Sequence, residues 1–261
     1  GIIQGLTEFL PVSSSGHIEL GKVLLDVHPP DPLLFSIVVH AATALSTIVI
    51  FWKDIMTLIR DLFRFEWNES TRFVAMIALS MIPVGVVGIL LEDQINALFD
   101  GQVLLVGVML LLTGGLLFFS SRAGATDGPL TFGKAIIIGI AQAIAILPGI
   151  SRSGSTISMA LILGVDRAQA ARFSFLMVLP PILAATVLKL KEYVETSGTT
   201  EAAGPDAIPT IVLVAGFISA FVAGLLACQW MIALVKRSKL DYFAIYCIVV
   251  GLIAVVAGFL R

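Results

Sequence analysis

Six apolar runs of about 20 residues, the length at which a helix crosses the hydrocarbon core of a bilayer, dominate this sequence. They cover residues 33–52, 72–91, 102–121, 173–190, 208–235 and 242–260. Hydrophobic residues make up 58% of the chain and charged residues 13%, whereas a soluble domain is about half apolar and about a quarter charged. The sequence therefore predicts an all-α integral membrane protein with six transmembrane helices, and we expect no nucleic-acid partner.

Two further segments are apolar but interrupted in the middle. They read GIIQGLTEFLPVSSSGH at 1–17 and GIAQAIAILPGISRSGST at 139–156. Each holds two apolar pieces of about a dozen residues around a Pro, Gly and Ser break, and neither piece is long enough to cross a bilayer alone. Non-helical backbone at membrane depth is tolerated where protein or water surrounds it. We therefore predict re-entrant helical hairpins at 1–32 and 134–165.

The two interrupted segments also resemble each other. A shift of 138 positions pairs Gln4 with Gln142 and keeps one register along both segments. Identical residues stand at the partners of Gly1, Ile2, Ser13, Ser15, Gly16 and the pair Phe35-Ser36. In membrane proteins the broken helices of such repeats often meet near the bilayer midplane and bind a ligand there. The pattern predicts two repeats of inverted topology, 1–121 and 134–261; the alternative is chance similarity between apolar, glycine-rich segments.

Basic residues are distributed unevenly over the loops of this predicted topology. If each hairpin returns to the side from which it enters, eleven of the 16 Lys and Arg residues lie on one face and four on the other, with Arg152 inside the membrane. The positive-inside rule places the richer face in the cytoplasm. The first hairpin then enters from the outer side and the second from the inner side, as an inverted repeat requires.

Arg152 is the residue that most needs a partner. An arginine at the centre of a membrane segment costs roughly 2.5–3.5 kcal/mol on insertion scales, so an anionic ligand or a carboxylate such as Glu8 must offset it. Arginine binds phosphate through two parallel hydrogen bonds, and the NH groups of the helix after Gly149 favour an anion. The neighbouring donors are Ser151, Ser153 and Thr156. The alternative is a structural Arg–Glu pair between the repeats.

Gln4 and Glu8 are four residues apart and therefore share one face of a helix. An amide oxygen and a carboxylate can hold a hard divalent cation, which takes oxygen ligands and usually keeps waters and phosphate oxygens. Alternatively, Glu8 orients a histidine. The same pair of residue types is common on helices, so the spacing alone does not decide between these interpretations.

A run of serines followed by His17 predicts a nucleophile and its base. Serine needs a base within hydrogen-bond reach to act as a nucleophile, and His17 stands three residues after Ser14, with Glu8 available to orient the imidazole. The alternative is that the serines cap the following helix. For His40, in the middle of the first apolar run, we expect a core histidine bonded to a backbone carbonyl.

At these residues the chain resembles a known family. GLTEFLPVSSSGH and LPGISRSGST are similar to the two signature regions of the undecaprenyl-pyrophosphate phosphatase family, also called the bacitracin-resistance family. The resemblance covers nearly the whole chain, including FAIY near the C-terminus. The positions that match the family's motifs are Gln4, Glu8, Ser13, Ser14, Gly16, His17, Pro148, Gly149, Ser151, Arg152, Ser153 and Thr156. Gln4 stands where the family has Glu or Gln, which removes one possible metal charge.

The resemblance implies removal of one phosphate from a C55 isoprenoid pyrophosphate in the bacterial cytoplasmic membrane, which recycles the lipid carrier of peptidoglycan synthesis. It implies a cation, Mg²⁺ or Ca²⁺, placed by Glu8 with Gln4. We expect Ser14 to attack the phosphorus with His17 as base; His17 itself or an activated water could equally be the nucleophile. The expected substrate-binding residues are Ser13, Gly149, Ser151, Arg152, Ser153 and Thr156, in a cavity open to the outer side.

A lipid transporter is the rival interpretation, because inverted repeats with broken helices are also a transporter architecture. A flippase for polyprenyl phosphates would use the same binding groups without needing a nucleophile and a base. Phosphate release from the pyrophosphorylated lipid separates the two functions. The sequence leaves open whether the chain forms a homodimer.

Overall fold

A computed structural model describes residues 1–25, 32–91, 94–95, 98, 102–124, 127–197 and 208–260. Its helices are α1 (Ile2–Phe9), α2 (Ser14–Leu25), α3 (Pro32–Ile50), α4 (Trp52–Leu62), α5 (Glu69–Leu90), α6 (Val103–Ser121), α7 (Phe132–Ile144), α8 (Arg152–Ile162), α9 (Arg167–Met177), α10 (Leu179–Ser197), α11 (Thr210–Lys236) and α12 (Asp241–Phe259). Within these ranges there is no strand, only one isolated backbone bridge between Gly128 and Val165. The predicted all-α fold is confirmed.

Several of these helices are long and apolar enough to span a membrane. In the described part of the chain they are Glu69–Leu90, Val103–Ser121, Arg167–Lys191, Thr210–Lys236 and Asp241–Phe259. A sixth span is obtained if the pair Leu34–Ile50 and Trp52–Leu62, which is bent by 77°, is counted as one. The chain is therefore a multi-pass membrane protein with five to six apolar spans. The loop at 198–207 lies outside the described residues.

The bend between α3 and α4 lies at the end of the run predicted at 33–52. Helix α4 carries apolar and charged residues on opposite faces, a pattern typical of helices that lie in the membrane interface. Asp54, in its first turn, accepts a 2.7 Å hydrogen bond from Arg172 Nε of α9. A hydropathy window registers only the apolar content of α3, so it does not register this change of direction.

Glycine residues stand where helices contact each other closely. In a bilayer the hydrophobic effect does not drive helices together, so small residues that permit close backbone packing are common at helix contacts. Helices α6 and α12 pack against each other along their length. A Cβ atom on Gly107 would lie 2.7 Å from the backbone nitrogen of Val255, and one on Gly251 would lie 2.9 Å from the carbonyl oxygen of Gly107. These two backbones touch, and larger side chains would push the helices apart.

The two interrupted segments each form a pair of short helices, and their breaks contact one another. Between α1 and α2 the break contains Ser13, with a φ of 70°, and between α7 and α8 it contains Gly149, with a φ of 95°. A Cβ atom on Gly16 would lie 3.1 Å from Gly149 Cα, and one on Gly154 would lie 3.3 Å from Pro11 Cβ. Helix α1 packs against α11, and α7 packs against α5. The outer helices therefore hold the two breaks together inside the bundle.

Candidate functional site

The side chains of Glu8 and Arg152 meet where the two breaks touch. Arg152 Nη2 donates to Glu8 Oε1, while Glu8 Oε2 accepts from Gln4 Nε2 at 3.0 Å and from Ser14 Oγ at 2.8 Å. Glu8 is only 8% exposed. A buried carboxylate is stable only when it is paired and hydrogen-bonded, and three donors meet that requirement here. Of the two partners that the sequence left open for Arg152, an anionic ligand or a carboxylate, the structure shows the carboxylate of Glu8 in contact with it.

Hydroxyl groups fix the backbone of both breaks. Ser13 Oγ accepts from the backbone NH of Gly16 at 3.2 Å, and Ser151 Oγ accepts from that of Gly154 at 3.1 Å. Ser151 NH in turn donates to Thr113 Oγ1 on α6 at 3.1 Å. Ser13 and Ser151 thus cap α2 and α8, and both are almost completely buried. The capping alternative for the serines before His17 holds for Ser13; the same role for Ser151 was not predicted.

Two other predicted binding hydroxyls are engaged with protein atoms. Ser153 Oγ donates to the carbonyl oxygen of Leu10, across the contact between the breaks, at 3.3 Å. The Oγ1 of Thr156 shares a short hydrogen bond with Ser174 Oγ on α9. Ser153 borders the main cavity and Thr156 a much smaller one behind it. Thr156 therefore supports α8 from behind, while Ser153 faces the main cavity.

A cavity of about 300 Å³ opens beside the Glu8–Arg152 pair. Ser14 borders it from the first break and Gln142 from α7. One face of α10 forms a wall, with Pro181, Ile182, Ala185, Thr186 and Lys189 at helical spacing, and Val178 extends this wall just before the helix begins. The volume lies at the lower end of the range for small-molecule sites, which are mostly apolar with a few convergent polar groups. The wall is apolar near the pair and polar towards Lys189.

His17 does not reach Ser14, which differs from the predicted nucleophile and base pair. Its Nδ1 lies 2.8 Å from the carbonyl oxygen of Ser13 and its Nε2 lies 2.8 Å from Tyr246 Oη on α12, with the two rings stacked. A carbonyl can only accept, so Nδ1 carries the hydrogen and Nε2 accepts from the tyrosine. Ser14 donates to Glu8 instead. The ring donates to the carbonyl oxygen of Ser13, four residues earlier, and therefore faces α12 and not Ser14.

His40 borders the cavity, which the sequence did not predict. Its Nδ1 lies 2.9 Å from the carbonyl oxygen of Ser36, so the predicted carbonyl bond is confirmed. The half-buried ring is nevertheless one of the side chains around the cavity, as is Gln142. The shift of 138 residues pairs Gln142 with Gln4, which was the available signal for this glutamine. His40 carried no comparable signal, because one histidine in an apolar run is usually a core residue.

Gln4 and Glu8 are the candidate metal ligands, and their donors are limited. In the described ranges no three His, Cys, Asp or Glu side chains are grouped to hold a metal. Gln4 Oε1 is buried and has no hydrogen-bond partner there. One carboxylate and one free amide oxygen suit a hard cation that keeps water and phosphate oxygens as its other ligands. The residues present are therefore compatible with such an ion.

Comparison with known proteins finds relatives over nearly the whole chain. The family model described as "Bacitracin resistance protein BacA" matches residues 1–253. A protein of Christiangramia forsetii named undecaprenyl-diphosphatase is 53% identical over 261 residues, 99% of this chain and 96% of its own. Proteins of the same name from Bacteroides fragilis and Methanosphaera stadtmanae are 51% and 38% identical, over 100% and 98% of this chain and 97% and 95% of their own.

Both signature segments lie inside the matched region, and residues of both border one cavity, among them Glu8, Ser14, Ser151, Arg152 and Ser153. The match runs almost from end to end, and the identity to several relatives is far above the level at which a family assignment is uncertain. The chain therefore belongs to the bacitracin resistance protein family, BacA.

Proposed function

We propose that this protein is an undecaprenyl-diphosphatase, which hydrolyses the C55 isoprenoid pyrophosphate to the monophosphate and inorganic phosphate. The observation that carries the proposal is the contact of the buried Glu8 carboxylate with both Arg152 and Ser14 at the edge of a cavity between two broken helices. A guanidinium, a carboxylate and a hydroxyl in contact are the groups that phosphoryl transfer to a serine requires. The name that its relatives carry supports the same reaction.

Arg152 and the N-terminus of α8 are the proposed phosphate-binding elements. Arg152 is the first residue of α8, so its guanidinium and the first NH groups of the helix lie at one end, where anions are stabilised. The incoming phosphate replaces Glu8 as the partner of the guanidinium. Glu8 is thereby released from its strongest hydrogen-bond donor and becomes a better proton acceptor for Ser14.

The proposed chemical step uses the hydrogen bond that already joins Ser14 to Glu8 at 2.8 Å. Ser14 Oγ attacks the terminal phosphorus, and its proton passes to Glu8 Oε2. The bond from that phosphorus to the bridging oxygen breaks, and the isoprenoid monophosphate leaves with the bonding electrons and receives the proton. Water then attacks the phosphoserine, which releases phosphate and restores Ser14.

In this scheme His17 is not the base that accepts the proton of Ser14, the role that the sequence predicted for it. Its ring connects the Ser13 carbonyl to Tyr246, which supports a positioning role for the break that presents Ser14. Attack by His17 itself or by water remains the alternative. Trapping the enzyme with labelled lipid pyrophosphate and mapping the label decides: phosphate on Ser14 supports the proposal, and a labelled His17 or an unlabelled protein contradicts it.

A divalent cation, Mg²⁺ or Ca²⁺, is part of the proposal. Glu8 and the free Oε1 of Gln4 would hold it, and when bound it would neutralise phosphate charge. Chelation should then abolish activity, and added Mg²⁺ should restore it. Mg²⁺ should also raise the melting temperature of the wild-type protein more than that of Gln4→Leu. Full activity in excess chelator would contradict this part.

We further propose six spans with two re-entrant hairpins in an inverted repeat within the bacterial inner membrane, with the cavity open to the outer side. In support, α6 (Val103–Ser121) and α12 (Asp241–Phe259) coincide under the 138-residue shift. Under the same shift α1 overlaps α7, and α5 overlaps α11. The packing of α1 against α11 therefore corresponds to the packing of α7 against α5. Labelling of a Lys189→Cys variant by an impermeant thiol reagent in whole cells tests the orientation; protection of that cysteine contradicts it.

Ser14→Ala is the central test of the activity. Phosphate release from the pyrophosphorylated lipid in detergent should fall at least about a thousand-fold, as is typical when a nucleophile is removed. Ser121→Ala is the matched control, because Ser121 lies at the far end of α6 and bonds to Phe118 and Asp241. A transporter that needs only binding would keep moving lipid in the Ser14→Ala variant. Unchanged phosphate release in that variant would contradict the proposal.

A further inference from the structure

Gln142, near the end of α7, is a buried amide that has no hydrogen-bond partner among the described residues. Its side chain is 2% exposed, and neither Nε2 nor Oε1 is bonded to any atom of the described residues. Buried polar groups in folded proteins are nearly always paired, and each exception requires an explanation. An unpaired buried amide lowers stability in either orientation of the group. Its presence here therefore points to a function that offsets this cost.

Comparison with the first segment shows which partner this amide lacks. The shift of 138 residues places Gln142 at the position of Gln4, whose Nε2 donates to Glu8 one helical turn further on. One turn after Gln142 stands Ile146, which has no acceptor. The second segment has thus kept the glutamine and replaced the carboxylate, so the donors of Gln142 remain available.

The cavity supplies a place for that partner. Gln142 borders the same cavity as Arg152 and Ser14, and Ile146 borders it as well. A carboxamide has two N–H donors and no charge, whereas pyrophosphate oxygens are strong acceptors that carry more negative charge than one guanidinium balances. The amide can therefore bind a phosphate oxygen that Arg152 leaves unpaired, without adding a second buried charge to the protein.

We propose that Gln142 is a substrate-binding residue, whose Nε2 donates to an oxygen of the bound pyrophosphate group. The inference rests on the proposed function, because it takes the ligand of the cavity to be a pyrophosphate. Gln142 takes no part in proton transfer. Its role is to hold the phosphate groups in place beside Arg152 while Ser14 attacks.

The test uses Gln142→Met, which keeps the length of the side chain and removes its donors, with Gln229→Met on the exposed face of α11 as control. For Gln142→Met we expect KM to rise about tenfold, the effect of losing one hydrogen bond to a charged group. Protection of the protein by inorganic pyrophosphate in a thermal melt should weaken in parallel. Without ligand, the melting temperature should stay the same or rise, because an unpaired amide is removed.

The outcomes separate this inference from the proposed function. Unchanged KM and unchanged pyrophosphate protection in Gln142→Met, in a protein whose wild type releases phosphate, overturn the role of Gln142 alone. A lower melting temperature with unchanged KM also overturns it, since Gln142 would then bind a structural water. A wild-type protein that is folded and protected by pyrophosphate but releases no phosphate overturns the proposed function and leaves the binding role of Gln142 measurable.

Discussion

The two broken segments share a set of backbone contacts and differ in chemistry. In both, a serine hydroxyl caps the second helix by accepting from a glycine NH, Ser13 from Gly16 and Ser151 from Gly154. A second hydroxyl two residues later lies 3.3 Å from the capping one in each segment. The residue between these two serines is Ser14 in the first segment and Arg152 in the second. The shared contacts shape the breaks, and single positions within them carry the reaction.

The two segments also differ in residue type at other positions that the shift of 138 residues makes equivalent. Glu8 in the first segment corresponds to Ile146 in the second. The first segment therefore supplies the acid and the hydroxyl, and the second supplies the cation and the unpaired amide of Gln142. Because the acid and the cation stand on different segments, the site is complete only where the two breaks touch. Folding of the whole bundle is thus a condition for catalysis.

The breaks also turn the chain by different means. The Leu-Pro pair stands at 10–11 and at 147–148, so the second segment has one more residue between proline and the capping serine. That residue permits Gly149 to take the left-handed conformation, while Ser151 stays extended. In the first segment Ser13 itself takes a positive φ, which is uncommon for a residue other than glycine. The segment that holds the proposed nucleophile, Ser14, is therefore the more strained of the two.

After Ser14→Ala, the largest expected effect comes from Arg152 in the second segment. Arg152→Lys should lower phosphate release about a hundred-fold, because an ammonium group cannot form the paired hydrogen bonds of a guanidinium to phosphate. Arg60→Lys on α4, whose side chain is 72% exposed, is the control. The assay is release of phosphate from the C55 pyrophosphate in detergent. Turnover that survives the exchange would mean that the second segment contributes only a structural charge.

The difference in backbone geometry predicts the next largest effect. A Cβ atom on Gly149 would lie 2.7 Å from the carbonyl oxygen of Val106 at a φ of 95°, so Gly149→Ala should destabilise the protein by about 2–3 kcal/mol. Ser13→Gly should cost less than about 1 kcal/mol, since relief of strain offsets the lost cap. Chemical unfolding in detergent measures both. Equal losses would show that the two breaks are not strained differently.

The variant Ile146→Glu gives the second segment the carboxylate that the first segment carries as Glu8. Ile146→Glu should give Gln142 the partner that Gln4 has, and it should also place a carboxylate in the phosphate cavity. We expect KM to rise about tenfold, because the new charge repels the substrate and the amide is no longer free. Ile146→Leu is the control, since it changes only shape. If Ile146→Glu leaves KM unchanged, the two segments do not differ in the way their sequences indicate.

The smallest expected effect concerns the histidine of the first segment. Tyr246→Phe removes the hydroxyl that donates to His17 Nε2 and keeps the stacked ring. Loss of one neutral hydrogen bond outside the cavity should reduce kcat about three- to fivefold and leave KM unchanged. A loss as large as that of Ser14→Ala would instead make His17 part of the chemical step.

The sequence was sufficient to predict the membrane fold and the meeting of Arg152 with Glu8. Both follow from large local costs, since apolar runs must avoid water and a membrane arginine must find an anion. It was not sufficient for His17, because the partner of its Nε2, Tyr246, is 229 residues away. The cavity positions of His40 and Gln142 also depend on how distant helices pack, which spacing along one helix does not encode.

The contact between Glu8 and Arg152 bears on how the enzyme finishes a turnover. If Arg152 binds phosphate as proposed, Glu8 competes with the substrate for the guanidinium, and substrate affinity should be lower than Arg152 alone would give. The same competition should act on the inorganic phosphate product, which Glu8 would help to displace from Arg152. Such a site would bind its substrate less tightly and would release inorganic phosphate faster, before the next lipid binds.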